Sequence, residues 1–161
     1  WTLSRGLGDV YKRQNLHWSE TEAKDRVRAF REAYPTFYAW QTTTGNEETS
    51  AIFTKLGRRR MTFAMRTPYT GRLNTPIQGT AGDIAKLSLI NIWKDIEKAP
   101  ENECFLIGVC HDEILLEVKK GTETKWQNLL SDAMVHGGEE LIQSVPIVAD
   151  ANHGHTWADA K

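Results

Sequence analysis

Two short apolar segments flank the tripeptide His111-Asp112-Glu113, and this arrangement constrains the fold more than any other feature of the chain. The segments run from Phe105 to Cys110 and from Ile114 to Val118, and both are rich in the aliphatic residues that favour strands. A hairpin of these strands would lift two carboxylates and an imidazole to its tip. Exposed carboxylates suit Mg²⁺, which takes one or two of them together with substrate phosphates. The alternative is an ordinary polar turn, in which Asp is common.

The segment before this hairpin predicts a long buried helix. Apolar residues between Gln78 and Lys98 cover more than one helical face, and Pro100 follows the end of the pattern. The stretch from Thr70 to Pro76 is predicted to be a connector that leads into the helix.

The segment after the hairpin predicts one more helix and one more strand. Residues 123–144 have amphipathic spacing, although Gly137-Gly138 would weaken or kink a helix there. Val145 to Asp150 predicts a last strand, and Trp157 anchors a short tail. The fold class is therefore α+β, an antiparallel sheet with helices packed on one face and the other face open. An open face with an acidic tip is a suitable platform for a polymer substrate.

The N-terminal part predicts short helices. Ser19-Glu-Thr-Glu22 has the form of a capping box, and an apolar stripe continues from it to Tyr34. Pro35 ends that helix, and a second short helix begins within residues 37–40. Residues 42–49 are rich in Thr, Gly, Asn and Glu, which predicts a loop or a frayed helix end.

Charge excludes a polyanion-binding surface that covers the whole molecule. The net charge is −1, so any nucleic-acid binding needs a local patch. The best candidate is Lys55-Leu-Gly-Arg-Arg-Arg60, between two stretches, 51–56 and 61–65, that predict a pair of short strands. A solvated turn is the alternative interpretation.

Length and composition indicate one globular domain or a fragment of a larger one. The chain has 161 residues, of which 40% are hydrophobic and 25% charged. Cys104 and Cys110 are too few for a disulfide framework or a zinc site, and they fit a reducing compartment. We expect no membrane span and no secretory signal, and hence a cytosolic protein. Residues 5–14 look like translated sequencing adapter, so we set residues 1–14 aside as an artefactual leader.

Several ordered motifs carry a family resemblance. Asn74-Thr-Pro-Ile-Gln-Gly-Thr-Ala-Gly-Asp-Ile-Ala-Lys86, followed by His111-Asp-Glu113, resembles the C-terminal half of family A (DNA polymerase I-like) DNA polymerases. The resemblance extends nearly from Leu16 to Lys161. Thr54 to Arg59 looks like the Gly-Arg-Arg element of this family, and Val145 to Trp157 looks like its terminal palm strand. The resemblance implies that residues 15–50 end the fingers subdomain and that residues 51–161 form the C-terminal half of the palm.

The resemblance also implies an activity, the template-directed addition of deoxynucleotides to a primer 3′-end. Such phosphoryl transfer uses two Mg²⁺ ions to neutralise charge on the attacking and leaving oxygens. Asp112 matches the metal-binding aspartate of the family, and Glu113 matches a neighbouring carboxylate that orients water or the metal shell. His111 matches a residue near the primer terminus that can hydrogen-bond a phosphate oxygen.

Four further matches concern DNA. Asn74 and Gln78 match side chains that face the minor groove, where purine N3 and pyrimidine O2 acceptors occur at similar places in all four pairs. Their structural alternatives are an Asx turn for Asn74 and a helix N-terminal cap for Gln78. Arg58 and Arg59 match phosphate contacts, either to the incoming triphosphate or to the template backbone. The expected partners are primer-template DNA and deoxynucleoside triphosphates, without a membrane.

The chain also departs from the family pattern. It lacks the second metal-binding aspartate of an earlier palm motif and the Lys and Tyr of a nucleotide-gripping fingers helix, and Val109 stands where a glutamine is common. We therefore expect the 161-residue chain to be inactive without the missing N-terminal part of the polymerase. One alternative is a non-catalytic DNA-binding remnant. Another is a Mg²⁺-dependent nuclease, which would need Asp83 or Asp150 beside Asp112.

Overall fold

The computed structural model describes residues 18–47, 49–62 and 67–160, and it divides into an N-terminal unit that ends at Ile77 and a C-terminal unit from Gln78. The described residues form helices and two-stranded antiparallel sheets, which confirms the α+β class. In chain order these elements are α1 (Glu20–Ala33), α2 (Pro35–Asn46), β1 (Ala51–Phe53), β2 (Arg59–Met61), α3 (Tyr69–Lys98), β3 (Cys104–Cys110), β4 (Glu113–Val118) and α4 (Glu123–Glu139). No helix in these described ranges is long and apolar enough to cross a membrane.

Helix α1 begins at the predicted capping box. The Ser19 hydroxyl accepts a hydrogen bond from the Glu22 N–H at 3.3 Å, and the Glu22 carboxylate accepts one from the Ser19 N–H at 2.9 Å. The Ser19 hydroxyl also donates to the Glu22 carboxylate at 2.7 Å, and this bond, followed by that from the Ser19 N–H, lowers the pKa of Glu22. The helix ends at Ala33, and Pro35 is the first residue of α2, a position at which its missing N–H costs nothing.

Helix α2 is longer than predicted, because residues 42–46 are helical. The Thr42 hydroxyl donates to the Tyr38 carbonyl at 2.9 Å, and the Asn46 amide donates to the Thr42 carbonyl at 2.8 Å. Gly45 is buried, and a Cβ there would lie 2.1 Å from a carbon of the Tyr69 ring. Tertiary contact and local side-chain bonds therefore keep this polar, glycine-containing turn helical.

Strands β1 and β2 form a short hairpin whose bounds differ from the prediction. Strand β2 begins at Arg59 rather than Met61, with Phe53 opposite Arg59, and residues 63–65 of the predicted strand lie outside the described residues. Strand β1 ends at Phe53 rather than at residue 56, because Thr54 bonds across the loop. Its N–H donates to the Arg58 carbonyl at 3.0 Å, and its hydroxyl accepts from the Arg58 N–H at 3.1 Å. Gly57 takes the left-handed conformation in this loop, with φ of 85°.

Helix α3 begins at Tyr69, so the predicted connector is wrong: it is helical, with Pro76 inside it. Proline removes one helical hydrogen bond and normally breaks the ladder. Here the neighbouring Thr75 hydroxyl donates to the Gly71 carbonyl at 2.7 Å and accepts from an Arg60 guanidinium N–H at 3.0 Å. These contacts within the N-terminal unit stabilise the helix across Pro76, where the sequence alone predicts that it does not continue.

Strands β3 and β4 pair from Cys104 opposite Val118 to Cys110 opposite Glu113, with a bulge at Ile107. One face packs on α3 and α4 around a core of four buried residues, Ile92, Cys104, Trp126 and Ala133. The other face is open, as predicted, and exposes Phe105, Ile107 and Val109 by 47%, 59% and 46%.

The glycine pair of α4 serves close packing rather than producing a kink. Gly137 and Gly138 are buried in the last turn of the helix, which ends at Glu139 and not at residue 144. A Cβ at Gly137 would lie 2.6 Å from the Ser88 hydroxyl oxygen and 2.7 Å from the Ser88 backbone nitrogen. Glycine is therefore required where α4 approaches α3.

The predicted last strand is wrong, because residues 145–150 form no strand. This segment runs beside α4 and bonds to its side chains instead of to a sheet. The Ser131 hydroxyl donates to the Ala149 carbonyl at 2.7 Å, and the Gln127 amide donates to the Ala151 carbonyl. Trp157 lies in the turn that follows, 48% exposed.

Candidate active site

The tip of the β3–β4 hairpin is a two-residue loop, since β3 ends at Cys110 and β4 begins at Glu113. The loop residues His111 and Asp112 are both exposed, and Glu113 is half-buried. His111 has φ of 57°, the left-handed conformation that hairpin turns of this length favour but that side chains other than glycine adopt at a cost. Backbone strain of this kind concentrates at functional sites, and here it lies next to Asp112.

The tip offers donors that suit a metal ion in kind but not in number. Carboxylate oxygens are the ligands that Mg²⁺ prefers. Among residues 18–47, 49–62 and 67–160, however, no three His, Cys, Asp or Glu side chains come close enough to hold a metal ion. Neither Asp83 nor Asp150 therefore joins Asp112 and Glu113 in a metal-binding group, and the nuclease alternative gains no support. Asp83 instead lies in the interior, 1% exposed.

Asn74 and Gln78 lie one turn apart on α3. Because the helix begins at Tyr69, Asn74 is not in an Asx turn and Gln78 is not at a helix cap, so both structural alternatives are wrong. Asn74 is half-buried and Gln78 is exposed. The amide donors that the family resemblance assigns to the minor groove are thus carried by a continuous helix.

The three consecutive arginines have different environments. Arg60 is turned toward α3, where its guanidinium donates to the Thr75 hydroxyl at 3.0 Å. Arg58 lies in the loop, with its backbone bonded to Thr54, and Arg59 lies on β2 opposite Phe53. Arg58 and Arg59 are both exposed, as phosphate contacts require, whereas Arg60 has a structural contact.

Both cysteines are free thiols. Burial raises the pKa of the Cys104 thiol to about 11, which keeps it protonated and unreactive in the core. Cys110 is half-buried at the base of the His111-Asp112 loop.

One exposed aromatic side chain, which the sequence motifs did not single out, lies beside the arginines. Phe53 is 54% exposed on the same hairpin as Arg59. The sequence indicates a cationic surface around this hairpin, because residues 49–82 contain no Asp or Glu. It does not indicate the register of the hairpin, which decides on which face Phe53 lies.

The fold is similar to part of a polymerase domain of known structure. The structure is similar to the POL domain of Pol1 from M. smegmatis in complex with DNA primer-template and dNTP, with a TM-score of 0.81 and 26% sequence identity. The similarity covers 96% of this chain and 28% of that one.

The model of the family "DNA polymerase family A" matches residues 4–159, and the chain belongs to this family, which confirms the resemblance. DNA polymerase I of Streptococcus pneumoniae serotype 4 is 33% identical, and that of Lactococcus lactis subsp. cremoris is 31% identical, over 97% of this chain. The chain spans 18% of the length of each of these relatives. The match begins inside residues 1–14, which lie outside the described residues, and our interpretation of them stays a prediction.

Proposed function

We propose that the chain is the C-terminal palm part of a DNA-directed DNA polymerase that extends a primer 3′-end on a DNA template. The observation that supports this most is the exposed Asp112 on a strained two-residue loop, in a chain similar to family A polymerases over nearly its whole length. Its partners are primer-template DNA and deoxynucleoside triphosphates. Its place is the cytoplasm of a bacterial cell or of a phage-infected host.

Each residue at the tip has a distinct role in this proposal. Asp112 would hold Mg²⁺, which when bound would supply neutralisation of charge on the attacking and leaving oxygens. Glu113 would orient water beside that ion. His111 donates a hydrogen bond to a phosphate oxygen near the primer terminus, as an imidazole N–H at an exposed position can do.

The remaining residues bind the DNA and the nucleotide. Asn74 and Gln78 donate from their amides to minor-groove acceptors, which tests the geometry of the new pair without reading its sequence. Arg58 and Arg59 pair with phosphates through charge-assisted hydrogen bonds.

Activity requires the N-terminal part of the polymerase, because two-metal chemistry needs at least two metal-binding aspartates and the tip supplies only Asp112. We expect the 161-residue chain to extend no primer in the presence of Mg²⁺. Primer extension by the purified chain would contradict this division of the site.

The decisive experiment is made on the parent polymerase, expressed from the contiguous upstream reading frame. Asp112→Asn is expected to reduce primer extension at least about a thousandfold, because metal ions contribute several kcal/mol to such barriers. Its affinity for primer-template DNA is expected to stay within about threefold of wild type, since the amide keeps the size of the side chain. The control is Glu117→Gln, an exposed carboxylate on β4 away from the tip, which should leave extension unchanged.

Two results would contradict the proposal. The first is an Asp112→Asn variant that extends primers within tenfold of wild type. The second is a wild-type parent that binds DNA but extends no primer, which would favour the DNA-binding remnant.

A further inference from the structure

The strongest local charge of the chain surrounds the β1–β2 hairpin. Residues 49–82 contain six cationic residues and no Asp or Glu, although the net charge of the chain is −1. Four of the six, Lys55, Arg58, Arg59 and Arg60, lie in the hairpin and are exposed, and Arg60 also bonds to Thr75. A local field of this kind attracts a polyanion independently of the acidic tip in the other unit.

The two faces of this hairpin differ in what they contact. Residues opposite each other on antiparallel strands share a face, so Ile52 and Arg60 lie on one face, and Phe53 and Arg59 lie on the other. The first face is turned toward α3, through the bond from Arg60 to Thr75. The second face, which we call the Phe53 face, consists of Ala51, Phe53, Arg59 and Met61.

The Phe53 face is exposed although it is apolar. Phe53 is 54% exposed and Met61 is 41% exposed, with an exposed arginine between them in the register. An aromatic ring and a thioether beside a cation can together contact a ligand that has both a flat ring and a phosphate.

The hairpin is held rigidly enough to present this face. At its open end the Thr62 N–H donates to the Ser50 carbonyl at 3.0 Å, and the Thr62 hydroxyl donates to the Thr49 carbonyl. At the loop end Thr54 bonds to Arg58 through backbone and side chain. Thr54 and Thr62 are both buried, at 8% and 6% exposure, so these bonds are shielded from water.

We propose that the Phe53 face binds an unpaired DNA strand, with a nucleobase stacked on the Phe53 ring and a neighbouring phosphate paired with Arg59. Aromatic stacking is sequence-tolerant and is worth about fivefold to a hundredfold in affinity per base. A duplex keeps its bases stacked on each other, so it can offer the face only its phosphates. If the proposed function holds, the unpaired strand is the template beyond the primer. Only this identification of the strand depends on the polymerase assignment.

The test uses the 161-residue chain without Mg²⁺ and measures the fluorescence anisotropy of a labelled twelve-nucleotide oligo-dT and of a twelve-base-pair duplex. We expect tighter binding of the single strand. Phe53→Ala should weaken single-strand binding at least about fivefold and leave duplex binding unchanged, and Phe53→Trp should retain it. Arg59→Gln should lower the slope of log affinity against log salt by about 0.7, as the loss of one phosphate contact on a single strand requires.

Matched controls lie in the C-terminal unit. Trp93→Ala removes an aromatic ring of similar exposure, 48%, from α3, and Lys94→Gln removes an exposed cation from the same helix. Both should leave binding unchanged. Since Phe53 is exposed, circular dichroism of its variants should match wild type.

Three outcomes would overturn the inference: equal affinity for single strand and duplex, no effect of Phe53→Ala, or equal effects of Phe53→Ala and Trp93→Ala. Because the assay needs neither metal nor upstream chain, it can succeed where primer extension by the parent fails. Primer extension by the parent can likewise succeed where single-strand binding by the Phe53 face fails. The two proposals can therefore be contradicted independently.

Discussion

The two hairpins of this chain are stabilised in different ways. Strands β3 and β4 have seven and six residues, and one of their faces lies on a core that includes Trp126, 2% exposed. Strands β1 and β2 have three residues each, and every residue of β2 is exposed. The short hairpin depends on hydrogen bonds to and from three threonines: the Thr54 and Thr75 hydroxyls accept, and the Thr62 hydroxyl donates.

This difference shows what each hairpin can present at its surface. Burial contributes roughly 1.5–3 kcal/mol per large apolar side chain, so the β3–β4 hairpin can tolerate left-handed His111 and two carboxylates at its tip. Net hydrogen bonds contribute about 1 kcal/mol each, so the β1–β2 hairpin keeps its register only while those bonds remain. The first hairpin is suited to hold charge in a strained turn, and the second to present an open face.

The largest expected effect is the loss of the core under β3–β4. Trp126→Ala should lower the free energy of unfolding by about 3–5 kcal/mol, because it leaves a cavity where an indole was fully packed. Urea titration followed by circular dichroism measures this loss. Trp93→Ala, at a site 48% exposed on α3, should cost about 1 kcal/mol or less. Equal costs at the two tryptophans would contradict the core assigned here.

A smaller effect is expected when the polar support of β1–β2 is removed. Thr75→Val keeps the side-chain shape but deletes the acceptor for Arg60 and the donor to Gly71, at a cost of about 1 kcal/mol. Hydrogen exchange should become faster at the amides of β1 and β2 and stay unchanged at those of β3 and β4. Thr43→Val, at an exposed position of α2, is the matched control. Faster exchange in both hairpins would show that they are not supported independently.

Local chemistry made part of this structure predictable. The capping box joins Ser19 to Glu22 by hydrogen bonds between residues three positions apart, so the start of α1 can be predicted from four consecutive residues. The β3–β4 hairpin follows from two apolar segments with a polar triplet between them, which also places Asp112 at a tip. Both predictions depend on neighbours in sequence, and the structure confirms both elements.

The elements that were mispredicted depend on distant contacts. Helix α3 continues through Pro76 with support from Arg60, fifteen residues before Thr75. Residues 145–150 are apolar enough for a strand, but the carbonyls of Ala149 and of the following Ala151 accept hydrogen bonds from side chains of α4 instead. The exposure of Phe53 depends on a register that begins at Arg59, and the left-handed backbone of His111 depends on the loop length. Neither property of the candidate sites is encoded in residue type alone.

The smallest expected effect concerns a charge at the open end of β3–β4. The Glu103 carboxylate accepts hydrogen bonds from the Lys125 ammonium and, at 3.1 Å, from the Trp126 indole N–H, and its backbone carbonyl accepts from the Lys119 N–H at 2.8 Å. The bond from Lys125, followed by that from Trp126, lowers the pKa of Glu103 below its ordinary value of 4.5. A carboxyl with a lowered folded-state pKa stabilises the fold above that ordinary value, and the contribution is lost as pH falls through the folded-state pKa.

Glu103→Gln should therefore lower the melting temperature slightly at neutral pH and reduce its decline on acidification, with the two curves converging at low pH. Melting temperature measured across the acid range tests this, with Glu117→Gln on exposed β4 as the control. A Glu103→Gln variant whose melting temperature falls with acid as steeply as wild type would show that the Lys125 contact adds no stability. The β3–β4 hairpin would then be stabilised by its apolar core alone, and the contrast with the polar support of β1–β2 would become sharper.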